Sequence, residues 1–523
     1  MSKATDTQSI SRRALLKVGA SGLGLAGAFS LSSCRRDRHS RHAAGHPSTI
    51  FPFGVASGDH TQNTMVLWTR LAREPIAPAG GMESESIPVM WQIATSPDFF
   101  DIKRSGVTWA VPALAHSVHV ELSDLPEDFS FFYRFFALNE FSRVGATRTL
   151  PADPSEITFI QAACQDYSSG FYHAYRHISQ ADAHFILHLG DYIYDTHFGD
   201  VRGGENDAVP VSLSEYRLRH AIYKLDPDLQ SAHAAAPFIF ALDNHDCLPS
   251  RANGIEQMRR QRAAYQAWYE HQPVRRRDYQ PGDAHMKSYR TIELGQLARI
   301  HVLDTRQYRS SQKICGSHDA SSFGLGVYRP ACDRLSRADR SMLGSAQLES
   351  FRHQGSRDTA RWSVVASSVM FSPLALRHRG QRYVYESGWD SYPVSRSAVQ
   401  NVMQGWRNTI VLSGDIHAHL TCAIKPSLDE LDAPSIGIEF LTGPISSAWI
   451  TPLNEPIVSN LAHNPHVGLY EAERGFTIHR IGRDRWQATQ MQVSNVEQRS
   501  GGAISTLAEW EVEDGNPEPN RLK

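Results

Sequence analysis

The sequence is poor in cysteine, in excess charge of either sign and in long hydrophobic runs. Six cysteines in 523 residues are too few for a disulfide framework, although Cys315 and Cys332 flank a glycine- and serine-rich loop and are candidates for one bond. A net charge of −2 gives no field for nucleic acid, so no nucleic-acid partner is expected. The hydrophobic content of 41% is that of a globular protein, and the length predicts two domains.

The first 34 residues are typical of an export signal. Arg12-Arg13 precede an apolar run, residues 18–31, that is too short to span a bilayer as a stable helix, and this pattern resembles a twin-arginine signal. Leu31-Ser32-Ser33-Cys34 then resembles a lipoprotein cleavage box, which would make Cys34 a lipid-bearing membrane tether. Ala26-Gly27-Ala28 offers a competing cleavage site for soluble release. We therefore predict passage through the twin-arginine export machinery to the periplasm or outer cell surface.

The rest of the chain shows two kinds of pattern. After a basic, histidine-rich linker over residues 35–49, short alternating runs and turn signals predict an immunoglobulin-like β-sandwich over residues 50–150. From residue 151 to 495, apolar strand-like runs alternate with helical stretches, which indicates an α/β domain with a second sheet packed on the first. Residues 496–523 are predicted to form a charged C-terminal tail.

Four predicted strands end on side chains of the kinds that bind metal. These are Cys164, then Asp191 with Tyr194 three residues on, then Asn244, His245 and Asp246, and finally Asp415 and His417. Because the carboxyl ends of strands in α/β sheets meet at one edge, we expect these groups to gather there. Such a mixture describes a metal site better than a nucleophile-and-base triad, and no Gly-x-Ser-x-Gly elbow occurs. The neighbouring Asp166, Asp243 and His419 are predicted to be structural.

Together these motifs resemble the alkaline phosphatase D (PhoD-like) family of calcineurin-like metallophosphoesterases. Further segments match in the family order over residues 51–493, among them Phe53-Gly54-Val55-Ala56-Ser57-Gly58-Asp59, Asp226-Pro227-Asp228, Leu303-Asp304-Thr305-Arg306 and Trp389-Asp390-Ser391-Tyr392-Pro393. The resemblance implies a four-layer αββα core preceded by an immunoglobulin- or fibronectin-like sandwich.

The resemblance also implies a site for Fe³⁺ and Ca²⁺. The implied ligands are Cys164 and Tyr194 for iron, Asp191 between the metals, and Asn244, Asp415 and His417 for the rest of the shell. Thiolate and phenolate suit iron, whereas carboxylate and amide oxygens suit calcium. In this interpretation metal-bound hydroxide attacks the phosphoester, and Asn244 also binds the phosphate. His245 protonates the leaving alkoxide or stabilises the transition state, and Asp246 orients the ring of His245.

The sequence departs from the family pattern at two points and leaves three functions open. Asp243-Asn244 replaces two successive carboxylates, and Ser367-Ser368 stands where the family carries Asn-Gln. The first hypothesis is an exported phosphatase or phosphodiesterase acting on small phosphate esters. The second is a phospholipase D-like phosphodiesterase acting on phospholipids. The third is a tethered, non-catalytic binding protein on the same scaffold.

Overall fold

The computed structural model describes residues 49–203, 208–247, 254–279, 286–312, 314–315, 327–448 and 451–523. The predicted export signal, Cys34 and all but the last residue of the predicted linker therefore lie outside the described residues. Within the described ranges, no helix combines the length and the hydrophobicity that a bilayer crossing requires.

The first of two large sheets holds ten strands among the described residues. In spatial order they are β25 (Asn520–Arg521), β24 (Ile504–Glu513), β23 (Arg485–Val493), β22 (Gly475–Gly482), β9 (Glu156–Ala162), β10 (Phe185–His188), β11 (Phe238–Phe240), β1 (Val55–Gly58), β2 (Met65–Arg70) and β5 (Ser117–Leu122). Its centre, β9 to β11, is parallel, so the carboxyl ends of these three strands lie side by side.

The second large sheet holds seven strands of the described chain. Their order is β12 (Arg290–Leu294), β13 (Ala298–Val302), β15 (Trp362–Ala366), β18 (Thr409–Ser413), β20 (Gly437–Leu441), β19 (His419–Ile424) and β21 (Val467–Glu471). Two smaller sheets contain β4 (Ile102–Ala110), β3 (Ile87–Ala94), β6 (Ser130–Ala137), β7 (Glu140–Phe141) and β8 (Gly145–Arg148), and β14 (Tyr328–Pro330), β17 (Gln381–Tyr385) and β16 (Leu376–His378).

The described helices are α1 (His173–Ile178), α2 (Leu213–Lys224), α3 (Pro227–Ala235), α4 (Asn244–Cys247), α5 (Gly254–His271), α6 (Gly344–Gly355), α7 (Pro393–Met403) and α8 (Thr451–Val458). Local sequence fixes where two of them begin. Ser212 and Glu215 form a capping box at α2, and the Asp226 carboxylate accepts from the first backbone N–H groups of α3, which has Pro227 at its first position.

Alternating side chains in the strands build the four layers. Phe159 and Leu187 point into the core between the two large sheets, which they share with Val364 and Ile410 of the second sheet. The adjacent Ile160 and Ile186 face the opposite side and pack with side chains of α2, α3 and α5. In the same way Val365 and Val411 pack with side chains of α6 and α7. The predicted αββα core is confirmed.

A buried glutamine ties the two large sheets together. The Gln161 amide on β9 donates to the carbonyl oxygens of Ser413 (2.8 Å) and Phe440 (3.1 Å) in the second sheet. Its carbonyl oxygen lies 2.8 Å from His479 Nε2. A buried network with its hydrogen bonds satisfied fixes a single arrangement, so these bonds set β18 beside β9 just below the strand ends.

The β-rich N-terminal region is confirmed, but one of its two sheets is shared with the core. Strands β1, β2 and β5 extend the first large sheet through a single parallel pairing, Gly58 with Phe238. The five-stranded sheet of β3, β4 and β6 to β8 forms the other layer. The hydrophobic core of the N-terminal region includes side chains from both of these sheets, such as Val120, Val89 and Tyr133.

The predicted C-terminal tail is instead a strand of the core. In β24, Ala508, Trp510 and Val512 are buried, and glutamates occupy the positions between them. The average composition is charged, yet the period of two gives the strand one apolar face. Asp514 then accepts from Arg361 and from Arg407, both at 2.5 Å, which anchors the end of β24 to the second sheet.

The sequence pattern also indicated one covalent link, and the structure confirms it. Cys315 and Cys332 form a disulfide. Cys422 is a buried free thiol.

Candidate active site

The predicted ligands lie at the carboxyl ends of β9, β10, β11 and β18, which we call the catalytic edge. Four of them adopt left-handed backbone conformations: Cys164 (φ 55°), Asp191 (φ 54°), Asp415 (φ 73°) and His417 (φ 53°). Residues other than glycine adopt this conformation at a cost, and such strain concentrates at functional sites. Gly190 is required here, because a Cβ at this position would collide with Asp243.

Three of these side chains converge on one point. One ligand atom each of Cys164, Asp191 and His417 lies within 4.8 Å of the other two. Cys164 Sγ is 3.8 Å from Asp191 Oδ2, and the turns are joined by a hydrogen bond from Cys164 N to the Gly190 carbonyl oxygen (3.1 Å). The first sheet supplies the thiol and the carboxylate, and the second sheet supplies the imidazole.

Tyr194 completes this cluster. Its phenol oxygen lies 2.9 Å from His417 Nε2 and 2.9 Å from the Ser447 hydroxyl oxygen. His417 Nδ1 donates to the Ala448 carbonyl oxygen at 2.8 Å, so Nε2 carries the lone pair and is the atom able to bind a metal.

The predicted partner of His245 is wrong. Its Nδ1 lies 2.7 Å from Asp195 Oδ1, whereas we expected Asp246 to orient the ring. The His245 ring stacks on Tyr194 with centroids 4.4 Å apart, and its backbone N–H donates to Asp191 Oδ1 at 3.2 Å. The side chain keeps 16% of its surface exposed, so it is accessible to a substrate.

Asp246 is a structural clamp. Its carboxylate accepts four backbone hydrogen bonds, from the N–H groups of Asp191, Tyr192, Ile193 and Asp243, at 2.8–3.2 Å. The clamp therefore holds the turn that carries Asp191 against the turn that follows β11. Both carboxylate oxygens of Asp246 are occupied by these backbone hydrogen bonds. Asp195, and not Asp246, is therefore the acid that contacts the ring of His245.

Asp243, which is predicted to be structural, is linked through Arg306 to Asp415, one of the predicted ligands. Arg306 lies between Asp243 and Asp415: its Nε donates to Asp243 Oδ1, and its Nη2 donates to Asp415 Oδ1 at 2.7 Å. The Oδ2 atoms of both carboxylates are buried and have no hydrogen-bond partner among the described residues. Burial alone would lower the pKa of Arg306, but the two carboxylates raise it above its ordinary value.

The residues at the departures from the family pattern have different surroundings. Asn244 begins α4 and is half-buried, and its amide makes no hydrogen bond to another side chain or backbone group of the described chain. Ser368 donates to Asp243 Oδ1 at 3.1 Å, whereas Ser367 donates to the Val369 carbonyl oxygen at 2.6 Å. Ser368 thus supports a carboxylate of the site, and Ser367 supports the backbone.

Family models match nearly the whole described chain. The model of PhoD-like phosphatases matches residues 159–490, and the model of their N-terminal domain matches residues 37–151. The chain belongs to the PhoD-like phosphatase family. Alkaline phosphatase D of Bacillus subtilis strain 168 is 34% identical over 489 residues, which cover 90% of this chain and 82% of that relative.

Solved structures agree with this membership. The structure of PhoD has a TM-score of 0.83 at 32% identity, covering 92% of this chain and 94% of that one. A purple acid phosphatase from yellow lupin (Lupinus luteus) seeds has a TM-score of 0.53 at 10% identity, over 88% of this chain and 74% of that one, and so shares the fold. As a PhoD-like phosphatase, the protein is a phosphoesterase acting on phosphate esters.

The electrostatics of this PhoD-like site suit cations. Burial, followed by the charge of Asp191, raises the pKa of Cys164 and of Tyr194 well above their ordinary values, and burial lowers that of His417 to about 4. Burial and the charge of Asp243 raise the pKa of Asp191. Closely spaced buried acids of this kind ionise together only when a cation compensates them, and the orphaned oxygens of Asp243 and Asp415 have the same need. The residues therefore fit a metal centre.

Five residues that contact the predicted ligands or His245 were not predicted from the sequence. They are Asp195, Asp243, Arg306, Ser447 and Ala448. Ser447 and Ala448 could have been found from the strand pattern. They follow β20, a fifth strand whose carboxyl end reaches the catalytic edge. Arg306 follows β13 in the same way and stands in a segment that resembled the family.

Proposed function

We propose that the protein is an exported phosphatase or phosphodiesterase that uses Fe³⁺ and Ca²⁺. The observation that carries the proposal is the convergence of Cys164, Asp191 and His417 within 4.8 Å, with Tyr194 against His417. Thiolate, phenolate and imidazole favour iron, and the carboxylates and the Asn244 amide favour calcium. Export is inferred from Arg12-Arg13 and the apolar run after them.

The bound cations would neutralise the phosphoryl oxygens and lower the pKa of a water molecule. Asp191 lies between the two groups of ligands and would hold both cations, and Asn244 would orient a phosphoryl oxygen through its amide N–H. The chain keeps the cluster in register by the Asp246 clamp and by the bond from His417 Nδ1 to the Ala448 carbonyl oxygen.

His245 is the group placed to move a proton. Burial would lower its pKa, but the charge of Asp191 and the hydrogen bond to Asp195 raise it to about 9. The hydrogen bond from Nδ1 to Asp195 Oδ1 favours the protonated ring, and it leaves Nε2 as the atom that would give a proton to the departing alkoxide.

Replacing Asp195 with asparagine is expected to lower kcat by about 10–100-fold, because the amide no longer stabilises the charged ring. The pKa of His245 should fall, so the alkaline limb of the pH profile should move to lower pH. Asp358→Asn is the matched control, since Asp358 is also a buried partner of a histidine, with Oδ2 3.3 Å from His301 Nε2, away from the catalytic edge. An unchanged pH profile in Asp195→Asn would contradict the role given to His245.

The proposed reaction is tested on three substrates: p-nitrophenyl phosphate, bis(p-nitrophenyl) phosphate and phosphatidylcholine vesicles. We expect turnover of at least one nitrophenyl ester by protein exported in folded form, with iron and calcium found by elemental analysis. Coordination of ferric ion by the Tyr194 phenolate should give a visible absorption band that Tyr194→Phe removes. Preference for phosphatidylcholine would replace the proposal with a phospholipase, and no turnover on any ester with both metals supplied would reject it.

A further inference from the structure

A fully buried arginine lies between two acids of the site. The Arg306 side chain is 1% exposed, and its guanidinium donates through Nε to Asp243 and through Nη2 to Asp415 Oδ1 at 2.7 Å. Asp243 follows β11 in the first sheet and Asp415 follows β18 in the second. Arg306 therefore bridges the two sheets at the catalytic edge.

Each acid uses only one of its oxygens in this bridge. The Oδ2 atoms of Asp243 and Asp415 are buried and have no hydrogen bond of good geometry in the described part of the chain, although the Tyr385 side chain also interacts with Asp415. A buried carboxylate oxygen without a partner is costly, so two on neighbouring turns indicate a ligand that compensates both. The turn that carries Asp243 lies beside the turn that carries Asp191, because Asp246 Oδ2 accepts from the backbone N–H groups of both residues at 2.9 Å.

We propose that Arg306 is a positioning residue that presents Asp243 and Asp415 as ligands of the second cation through their Oδ2 atoms. The inference rests on the proposed function for the presence of that cation, and it adds Asp243 to the ligands expected from the sequence. Arg306 takes Oδ1 of each acid and thereby fixes the rotation of both carboxylates. The acids need not reorient when a cation binds, which reduces the entropic cost of binding.

The chemistry of arginine suits this task better than that of lysine. The guanidinium is planar and carries donors in fixed directions, so a single side chain can contact two carboxylates at a set separation. An ammonium group is a compact point charge that imposes no such geometry. The arginine also stays protonated beside the cation, since its pKa is far above neutrality.

Neighbouring residues hold the arginine and its first acid in place. Asp304 Oδ1 accepts from the backbone N–H groups of Arg306 (3.0 Å) and Gln307 (2.9 Å), which fixes the turn after β13. The Ser368 hydroxyl donates to Asp243 Oδ1, and its oxygen lies 2.7 Å from the Thr305 hydroxyl oxygen. One of the two serines at the departure from the family pattern therefore supports the same carboxylate as Arg306.

The test is calcium binding by protein stripped with a chelator, followed by calorimetry, together with iron content and kinetics on p-nitrophenyl phosphate. In Arg306→Gln we expect the calcium dissociation constant to rise about 10–100-fold, as for other residues that orient metal ligands, while iron content is retained. Arg306→Lys should fall between Arg306→Gln and the wild type. Saturating calcium should restore part of kcat, which a purely structural defect would not allow.

Two further variants keep the result interpretable. Arg396→Gln is the control, because Arg396 is also buried and pairs with a buried acid, Asp390, at 3.1 Å. We expect this control variant to be less stable than the wild type but to have the same calcium-binding isotherm. If Arg306→Gln does not fold, Ser368→Ala removes a donor to Asp243 without leaving a buried charge unpaired, and the calcium dissociation constant should still rise a few-fold.

Calcium binding in a folded Arg306→Gln protein with the affinity of the wild type would overturn the proposal. So would unchanged calcium affinity in Ser368→Ala if Arg306→Gln cannot be folded. The proposed function fails separately: if the wild type hydrolyses no phosphoester but Arg306→Gln still weakens calcium binding, the positioning role stands and the catalytic proposal is lost.

Discussion

Asp191→Asn is expected to abolish hydrolysis and metal binding together. The two oxygens of Asp191 have different neighbours in the site, with Oδ2 3.8 Å from Cys164 Sγ and Oδ1 accepting from the His245 N–H at 3.2 Å. An amide keeps the size and one acceptor oxygen, so the turn should be preserved. It lacks the charge that holds two cations, and the loss of several kcal/mol of transition-state stabilisation corresponds to at least about a 1,000-fold fall in kcat/KM.

Metal content and activity should be measured on the same sample. We expect less iron and calcium per chain in Asp191→Asn and no recovery of activity when both metals are added. Asp166→Asn is the matched control, because Asp166 is also a buried acid at the catalytic edge but is engaged by the hydroxyls of Ser168 and Ser169. A variant of Asp191 that keeps both its metals and its turnover would remove the basis for the assignment of this site.

The positions of the ligands could be predicted from sequence because they depend on strand ends. Asp191 and His417 each follow a short buried run, and parallel strands place their carboxyl ends at a common edge. The assignment of strands to sheets could not be predicted. The strand before His417 lies in the second sheet, whereas β22 to β24, late in the chain, return to the first. Sequence order does not specify which face a strand joins, since this depends on long-range packing.

The partners of these ligands were harder to predict. Asp246 lies one residue after His245 and was the obvious partner, but the first turn of α4 directs its carboxylate to the backbone of the turn at Asp191. Asp195 reaches the ring from 50 residues earlier in the chain. Arg306 meets Asp415 across 109 residues. Such contacts are set by loop geometry, and no local sequence pattern reports them.

A cluster of buried basic side chains near the N-terminal sheets predicts a large effect of pH on the stability of the protein. His188, His220, His233 and His271 are all buried around the buried Lys224, whose amine lies 3.1 Å from His233 Nε2. Burial, followed by the charge of Lys224, lowers the pKa of His188 to about 3, and the same two causes lower that of His233 well below its ordinary value. Burial likewise lowers the pKa of His220 and of His271 well below 6.5, with Lys224 and Arg70 adding to it.

The sign of the pH effect follows from proton binding. Below the unfolded pKa of 6.5 the unfolded chain takes up protons on these four histidines, while the folded protein does not until its much lower folded pKa values are reached. The free energy of unfolding is therefore expected to fall as the pH drops below 6.5. Each histidine contributes about 1.4 kcal/mol per pH unit, so four of them offset a typical stability of about 5–15 kcal/mol within about one to three pH units.

His220→Leu tests how much one of these histidines contributes to the dependence of unfolding free energy on pH. Neither ring nitrogen of His220 has a hydrogen-bond partner among the described residues, so a leucine of similar size removes the titrating group without orphaning another polar atom. We expect the slope of unfolding free energy against pH, measured by urea titration between pH 6 and pH 4.5, to decrease by about 1.4 kcal/mol per pH unit. His463→Leu, at an exposed position, is the control for a histidine-to-leucine change outside this cluster. Equal slopes in His220→Leu and the wild type would show that the folded protein already binds this proton, because only a proton taken up on unfolding contributes to the slope.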